Sequence, residues 1–500
     1  MATTTTDVVI IGSGMGGATA ALGLAPTGAN ITILERGSQI APSAHNRDAR
    51  AVYQRNHFKS DGLWYLPTGE AIPAGNRFFH GGMTKFYGGV LYRFRERDFD
   101  GVSHAEGDAL AWPIRYAELE PWYEQAERMY QVRGDSSQDP TDPPRKTSLP
   151  YPPVPDEKAI AQARARFEAI GLHPCALPLG IDLNTWLKHG NTGWDGFPDA
   201  REGKMDAENC ALIPALGYPN VSINSGAVVQ RVLFAADGKR ALGVEYDSGG
   251  QTQRLLADVV VLAAGAIPTA AILLASDIEK TVNRSGQVGR NLMAHNQSIV
   301  IGFDWRFRND SVYQKTFAIN DFYLSDQAGG PPLGNIQVLG RVDGAILKAG
   351  LPRVPEWLLN QVSKHTLDFF LNSEDLPHER NHVRLDGQKL VLDFSHRTNM
   401  QAHRGLTQRW KECLKDAGFH RTGSMMFERR GPGHQCGTVR MGDDPNTAPL
   451  NRWGQAHECE NLFVTDASPF VSSAAVNPAL TVAALSLRAV GRIKDVLLKG

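Results

Sequence analysis

Residues 7–37 read DVVIIGSGMGGATAALGLAPTGANITILERG, and their reading decides the fold. The apolar run Val8–Ile11 predicts a strand, the glycines a sharp turn, and the small residues after them a helix. ITILE then predicts a second strand that ends at Glu35. Gly12, Gly14 and Gly17 stand in GxGxxG spacing. The first glycine permits the turn, the second admits a pyrophosphate against the backbone, and the third allows close helix–strand packing. The helix N-terminus offers free N–H groups and a positive dipole to phosphate. Glu35 lies about 20 residues on, where a carboxylate accepts hydrogen bonds from ribose hydroxyls. Strand, glycine turn, helix and acid together predict a dinucleotide site, without choosing between NAD and FAD.

Outward from this unit the chain changes character. Residues 40–75 are irregular and polar, with SAHNRDARAVYQRNHF the one helical hint. GGMTKFYGG (81–89) predicts a glycine-flanked loop, and WPIRYAELEPWYEQAERMYQV (112–132) an amphipathic helix begun in a proline turn. The proline-rich DPTDPPRKTSLPYPPVP (139–155) predicts a surface excursion. VSINSGAVVQRVLF, ALGVEYDSG and QRLLADVVVLAAGAIPTAAILLAS read as three strands, the last entering a helix through its AAGA turn. NIQVLGRV and HVRLDGQKLVLDF alternate like antiparallel strands with one solvated face, and LTQRWKECLKDAGF predicts an amphipathic helix. From His434 the small-residue pattern returns. The fold expected is α/β: a Rossmann-like nucleotide domain over 1–300 and 431–500, with irregular insertions at about 40–75 and 110–205. A substrate domain on an antiparallel sheet, 301–430, is inserted into it.

Composition narrows the function. Of 500 residues, 42% are hydrophobic and 21% charged, and the net charge of −1 carries no basic run that would invite nucleic acid or an anionic membrane. Five cysteines without a CxxC pair argue against a disulfide framework, a zinc site or an iron–sulfur cluster, so no metal is expected. No apolar run reaches spanning length, and MATTTTDVVIIG passes into a strand with no leader pattern. A cytoplasmic protein is the expectation.

Seven stretches in order resemble the GMC (glucose–methanol–choline) flavin oxidoreductases: IIGSGMGG…LERG, GGMTKFYGG, AAGAIPTAAILLAS, VGRNLMAHN, HQCGTVRMGDDP, NLFVTDASPF and NPALTVAALSLRA. The resemblance runs nearly end to end and implies FAD. It implies cofactor contacts from Gly12, Gly14, Met15, Gly17, Glu35 and Arg36 in the first unit. Gly81, Gly82, Thr84, Lys85, Tyr87, Gly88 and Gly89 would lie along the isoalloxazine. Val228, Ala264 and Gly265 follow, then Asp466 and Ala467 near the ribityl chain, and Pro478 and Thr481 at the last helix. Fungal pyranose oxidases join a histidine of the loop covalently to flavin. Aligning the glycines and Met83 puts Phe86 there, which cannot form the bond, and His80 falls on the wrong side of the motif. Non-covalent FAD is therefore expected.

GHQCGTVRMGDDP sets His434 beside Cys436. A metal site lacks further ligands, a Cys436 nucleophile would need the thiol aimed at substrate from an alternating strand, and a packed core histidine stays open. Alcohol oxidation removes a hydroxyl proton while hydride passes to flavin N5, and imidazole suits that proton. The resemblance gives His434 the proton-acceptor role, with Cys436 as packing. Asn477 and Pro478 read as N-cap and first helical residue, and the resemblance places Asn477 beside flavin and substrate. The likeness is strongest to the bacterial pyranose-oxidase-like branch, including glycoside 3-oxidases. It implies oxidation of a secondary hydroxyl, at the 3- or 2-position of a pyranose or glycoside, with oxygen or a quinone as acceptor. Asn335 and Gln337, alternate residues of one strand, are the candidate sugar ligands. Trp64 and Tyr65 are candidates for a lid. A dehydrogenase of another alcohol, a non-redox GMC-like lyase and a nicotinamide enzyme on a bare Rossmann fold remain alternatives.

Overall fold

The computed structural model describes residues 3–276, 278, 282–313, 315–428 and 431–497. Thr3–Ile11 is the centre of a seven-stranded sheet, because Val8, Val9 and Ile10 are apolar on both faces and wholly buried. It pairs in parallel with Ile31–Glu35 on one side (Val8 opposite Ile31) and with Gln251–Leu262 on the other (Val8 opposite Val259). The long strand Gln251–Leu262 serves two neighbours. Its first half pairs antiparallel with Ala241–Ser248, and its end pairs parallel with Leu462–Val464.

VSINSGAVVQRVLF forms two strands rather than the one expected. Val221–Ser225 pairs with Ile31–Glu35, whereas Ala227–Phe234 pairs with Ala241–Ser248 at the opposite end of the strand order. Gly226, at φ +73°, turns the chain between them. The helix Met15–Leu24 lies against this sheet and is held from behind by the C-terminal helix Ala479–Leu497. Ser486 donates to the Gly16 carbonyl (2.7 Å), and a Cβ on Gly16 would stand 2.1 Å from the Thr465 carbonyl oxygen.

A second, six-stranded antiparallel sheet runs Arg421–Met426, Asn296–Phe303, Thr366–Ser373, Asn335–Gly340, Phe317–Ile319, Pro174–Ala176. One face is the second core, where Phe369 packs edge to face against Phe167 and against Trp410 of the helix Met400–Asp416. Asn335–Gly340 is buried on both faces, so the solvated face expected of it does not exist. HVRLDGQKLVLDF joins neither large sheet. His382–Asp386 and Lys389–Asp393 make a four-stranded sheet with Leu63–Tyr65 and Ala71–Pro73, taken from the stretch 40–75. The WPIRY segment becomes the helix Tyr116–Met129, with Pro121 inside it. No described helix is long and apolar enough to cross a membrane.

Candidate active site

Between the two large sheets lies a cavity of about 1070 Å³ that begins at the glycine turn and ends at His434 and Asn477. Its first wall is backbone. Gly12 turns at φ +97°, where a Cβ would meet the Ala263 carbonyl oxygen at 2.6 Å. A Cβ on Gly17 would meet the Gly12 carbonyl oxygen at 2.0 Å, so Gly17 serves packing and does not line the cavity. On the open side of Gly14 the nearest group is Gly82 Cα, 4.0 Å from an added Cβ, and no side chain caps the helix that follows. That is a cradle a side chain would fill, at a helix N-terminus, and it fits a pyrophosphate. Glu35 lines the cavity with its carboxylate already bonded: Oε2 accepts from Ser13 N and Oγ (2.8 and 2.7 Å) and Oε1 from Gly37 N (2.8 Å). Arg36 lies over the Phe78 ring at 4.1 Å and also lines the cavity. A dinucleotide therefore fits: Gly12, Gly14 and Met15 would hold the diphosphate, and Glu35 and Arg36 the adenosine end.

The loop 81–89 contributes backbone. Gly82, Met83, Thr84, Phe86, Tyr87 and Gly88 line the cavity; Gly81, Lys85 and Gly89 do not. Lys85 points away, wholly buried, with Nζ 2.6 Å from Glu208 and 2.9 Å from Asp206. Burial pulls its ammonium down, but Asp206 and Glu208 outweigh that and hold it above the ordinary lysine value. Thr84 donates to the Gly81 carbonyl (2.5 Å) and accepts from Ala207 N (3.0 Å). Lys204, buried, donates to the carbonyls of Lys85, Tyr87 and Phe197 (3.2, 2.9 and 2.6 Å), which nails the loop in place. Lys85 thus shapes the loop and does not reach the cavity, contrary to what the resemblance implied, whereas Thr84 lines the cavity with its hydroxyl already bonded to the loop. Thr481 is another departure: it bonds Tyr123 Oη (2.7 Å), buried away from the cavity. Phe86 is buried against Phe58 and Phe79, while His80 bonds Ser225 and does not line the cavity.

Val228, Ala264, Gly265, Asp466, Ala467 and Pro478 all line the cavity. Asp466 accepts from Gly265 N (2.8 Å), Thr269 Oγ1 (2.5 Å) and Ser468 N (2.8 Å), tying two crossovers together, and burial raises its carboxyl. The four-stranded sheet covers the far side with Trp64, Tyr65 and Leu390.

At the other end the backbone brings two distant segments together. Cys436 N donates to Met293 O (2.9 Å) and Met293 N to Cys436 O (3.0 Å), which sets His434 beside His295. His434 adopts φ +55°, so it is not the alternating strand residue expected, and its side chain leaves Cys436 behind. Cys436 is buried, and burial pushes its thiol far up, which disfavours a thiolate there.

The imidazoles contact Nδ1 to Nδ1 at 2.8 Å with rings at 82°. The buried His295 has its Nε2 3.1 Å from the Ser473 carbonyl, which can only accept, so Nε2 carries the proton. Burial lowers the pKa of His295, so Nδ1 presents a lone pair and His434 Nδ1–H donates into it. The Gln297 amide nitrogen, 3.3 Å from the same Nδ1, is the longer contact. The lone pair of His434 is thereby placed on Nε2, with Asn477 Nδ2 3.4 Å away. Burial first, then His295, then Lys315 push the His434 pKa well below the imidazole range. A neutral base aims at the end of the cavity.

Lys315, His295 and Gln297 are site residues that sequence reasoning missed, although His295 lay inside the quoted VGRNLMAHN. Asn335 and Gln337, expected as sugar ligands, are wholly buried, bond each other and Asn477, and do not line the cavity. Their polarity was legible but their partners were not. Among the described residues no group of three or more His, Cys, Asp or Glu side chains is placed to hold a metal.

A dinucleotide cradle that opens onto a neutral histidine defines a redox-cofactor enzyme. Family models agree: "GMC oxidoreductase" matches residues 174–297 and 377–486, and "NAD(P)-binding Rossmann-like domain" matches 10–80. The chain is 28% identical to paromamine 6'-oxidase of Streptomyces fradiae over 96% of its own length and 90% of that protein's. It is 29% identical to 2-methyl-1,2-propanediol dehydrogenase of Mycolicibacterium austroafricanum, over 97% and 94%. The crystal structure of pyridoxine 4-oxidase from Mesorbium loti shares the fold, at TM-score 0.68 and 18% identity over 98% of this chain and 99% of that one. This chain belongs to the GMC oxidoreductase family and is an FAD-dependent oxidoreductase acting on CH–OH donors.

Proposed function

We propose that this enzyme oxidises a secondary hydroxyl of a pyranose or glycoside, at the 3- or 2-position, to the ketone, with FAD held non-covalently and oxygen or a quinone as electron acceptor. The observation that carries the reading is the meeting of His434 Nε2 and Asn477 Nδ2 in the wall of the cavity. FAD, when bound, supplies the hydride acceptor. His434 Nε2 takes the hydroxyl proton, and the proton already on Nδ1 gives the resulting imidazolium a partner in His295. Asn477 Nδ2 donates to the same substrate oxygen as it becomes anionic. Gln297 and Phe370 on the opposing sheet and Lys315 beside it, with Trp64 and Tyr65 on the covering sheet, form a polar and aromatic wall suited to a sugar. The likeness to relatives named paromamine 6'-oxidase and 2-methyl-1,2-propanediol dehydrogenase supports a hydroxylated small-molecule substrate. The Phe86 position and the removal of His80 from the cavity support non-covalent FAD. A cytoplasmic location is part of the same proposal.

The test is anaerobic mixing of the yellow enzyme with a panel of free sugars, glycosides and simple alcohols. Bleaching fastest with a pyranoside, and a ketone in its product, is expected. Bleaching with acyclic alcohols alone removes the sugar reading, and flavin that stays oxidised with every donor turned over indicates a lyase. Flavin left in the pellet after acid precipitation removes the non-covalent reading.

A further inference from the structure

Asn477 sits at the end of a chain of buried amides whose direction is fixed at both ends by charge. At one end Asp139, paired with Arg95 (2.7 Å), can only accept, so the amide nitrogen of Asn320 must face it (2.7 Å). Asn320 Oδ1 then accepts from Asn335 Nδ2 (2.6 Å), and Asn335 Oδ1 from Gln337 Nε2 (2.7 Å). At the other end the Lys315 ammonium can only donate, and it donates to Gln337 Oε1 (3.1 Å) while pairing with Asp195 (3.2 Å). Gln337 has one proton left, and it goes to Asn477 Oδ1 (2.6 Å). With its oxygen occupied, Asn477 turns Nδ2 toward His434. The chain from Ser473 through His295 independently leaves the acceptor on His434 Nε2, so the two networks meet donor to acceptor.

We infer that Gln337 is a positioning residue: held between Lys315 and the Asn335–Asn320–Asp139 relay, it orients the Asn477 amide so that nitrogen, not oxygen, faces the reacting hydroxyl. This rests on the proposed role of Asn477. An amide has nearly equal shape either way round, and the wrong orientation would set a carbonyl against the developing alkoxide and against the lone pair of His434. Gln337, Asn335 and Asn320 are wholly buried, so water does not supply the alternative partners.

Gln337→Glu keeps the shape and the Lys315 partner but replaces the two donors by acceptors, so Asn477 must rotate. The holoenzyme is expected to keep its flavin content and melting temperature, and its limiting rate of anaerobic flavin reduction is expected to fall about tenfold to a hundredfold. Substrate dissociation should change less than about twofold, because Gln337 does not line the cavity. The acid limb of the pH profile should move up, since a carbonyl at Nε2 favours protonated His434. In an Asn477→Ala background the same substitution should have no further effect. Gln337→Met, which removes the donors without adding charge, should repeat the pattern and covers the case in which the carboxylate variant fails to fold. An unchanged limiting rate, a change in substrate affinity alone, or an undiminished effect in the Asn477→Ala background overturns the inference. Asn477→Ala that reduces at the parental rate instead overturns the reading of Asn477 on which it rests.

Discussion

The two ends of the cavity are built on opposite plans. The nucleotide end is backbone: glycines at positive φ, a helix N-terminus, and a carboxylate that knits neighbouring turns. The reacting end is side chains: two imidazoles and a run of amides drawn from residues as far apart as Asp139 and Asn477. A backbone cradle needs only local sequence, since glycine spacing already dictates the turn. A side-chain network needs the whole tertiary structure to bring its members together, and each member depends on the next for orientation. The first end should therefore fail by steric exclusion and the second by loss of orientation.

The sharpest break is at the base. His434→Ala should fold and bind flavin, because the imidazole is only partly buried and the Cys436–Met293 backbone bonds that hold the segment survive, yet lose about 10²- to 10⁴-fold in the limiting rate of reduction. Stopped-flow reduction with an excess of the best donor measures it. A near-parental rate would mean that the reacting end lies elsewhere.

Lys85 tests the loop between the two ends. It was read as a cofactor contact, and it instead neutralises two carboxylates in a site without solvent. Burial raises the Asp206 carboxyl to about 7 even with the lysine present. Lys85→Met should cost about 3–5 kcal/mol of stability and lower flavin retention, because it leaves Asp206 and Glu208 buried and unpaired. Denaturant melts of the apoprotein check it. Weaker flavin binding with an unchanged melt would restore the direct contact.

These two residues show what was legible. Gly12, Gly14, Glu35 and the strand–helix order follow from local pattern. His434 and Asn477 were singled out because chemistry and a resemblance both pointed at them, and the fold brings the two together. Lys85 and Thr481 were misplaced because a motif names positions in the chain but not the direction in which each side chain leaves it. Asn335 and Gln337 share a face, as alternation requires, but that face is covered rather than open to substrate. The split at Gly226 and the covering sheet made with residues 63–73 were not legible, since both depend on pairings between segments far apart in the chain.

Lys315 sharpens the electrostatics of the reacting end. With neutral His434 as the proposed base, reduction should be flat with pH above its pKa and fall as pH drops through it. Since that pKa is lowered, the acid limb should lie below the ordinary imidazole range. Lys315→Met removes the ammonium that helps to lower it, with burial still in place, so the limb should move to higher pH. The plateau reports separately on the Gln337 contact. A limb that stays put, or moves to lower pH, would show that the ammonium does not act on His434.

The smallest effect is expected two residues from the largest. Cys436 shares its tripeptide with His434, but its thiol is buried and held protonated, while its backbone N–H and carbonyl clasp Met293. The clasp, not the sulfur, sets His434 beside His295. Cys436→Ala keeps both backbone bonds and removes one buried atom, at a cost of about 1 kcal/mol. Its limiting rate of reduction should stay within about twofold of the parent, since nothing in proton transfer to Nε2 passes through the thiol. A loss comparable to that of His434→Ala, in a variant that melts and binds flavin normally, would place the sulfur in the chemistry. It would also end the distinction between what this segment's backbone positions and what its side chains perform.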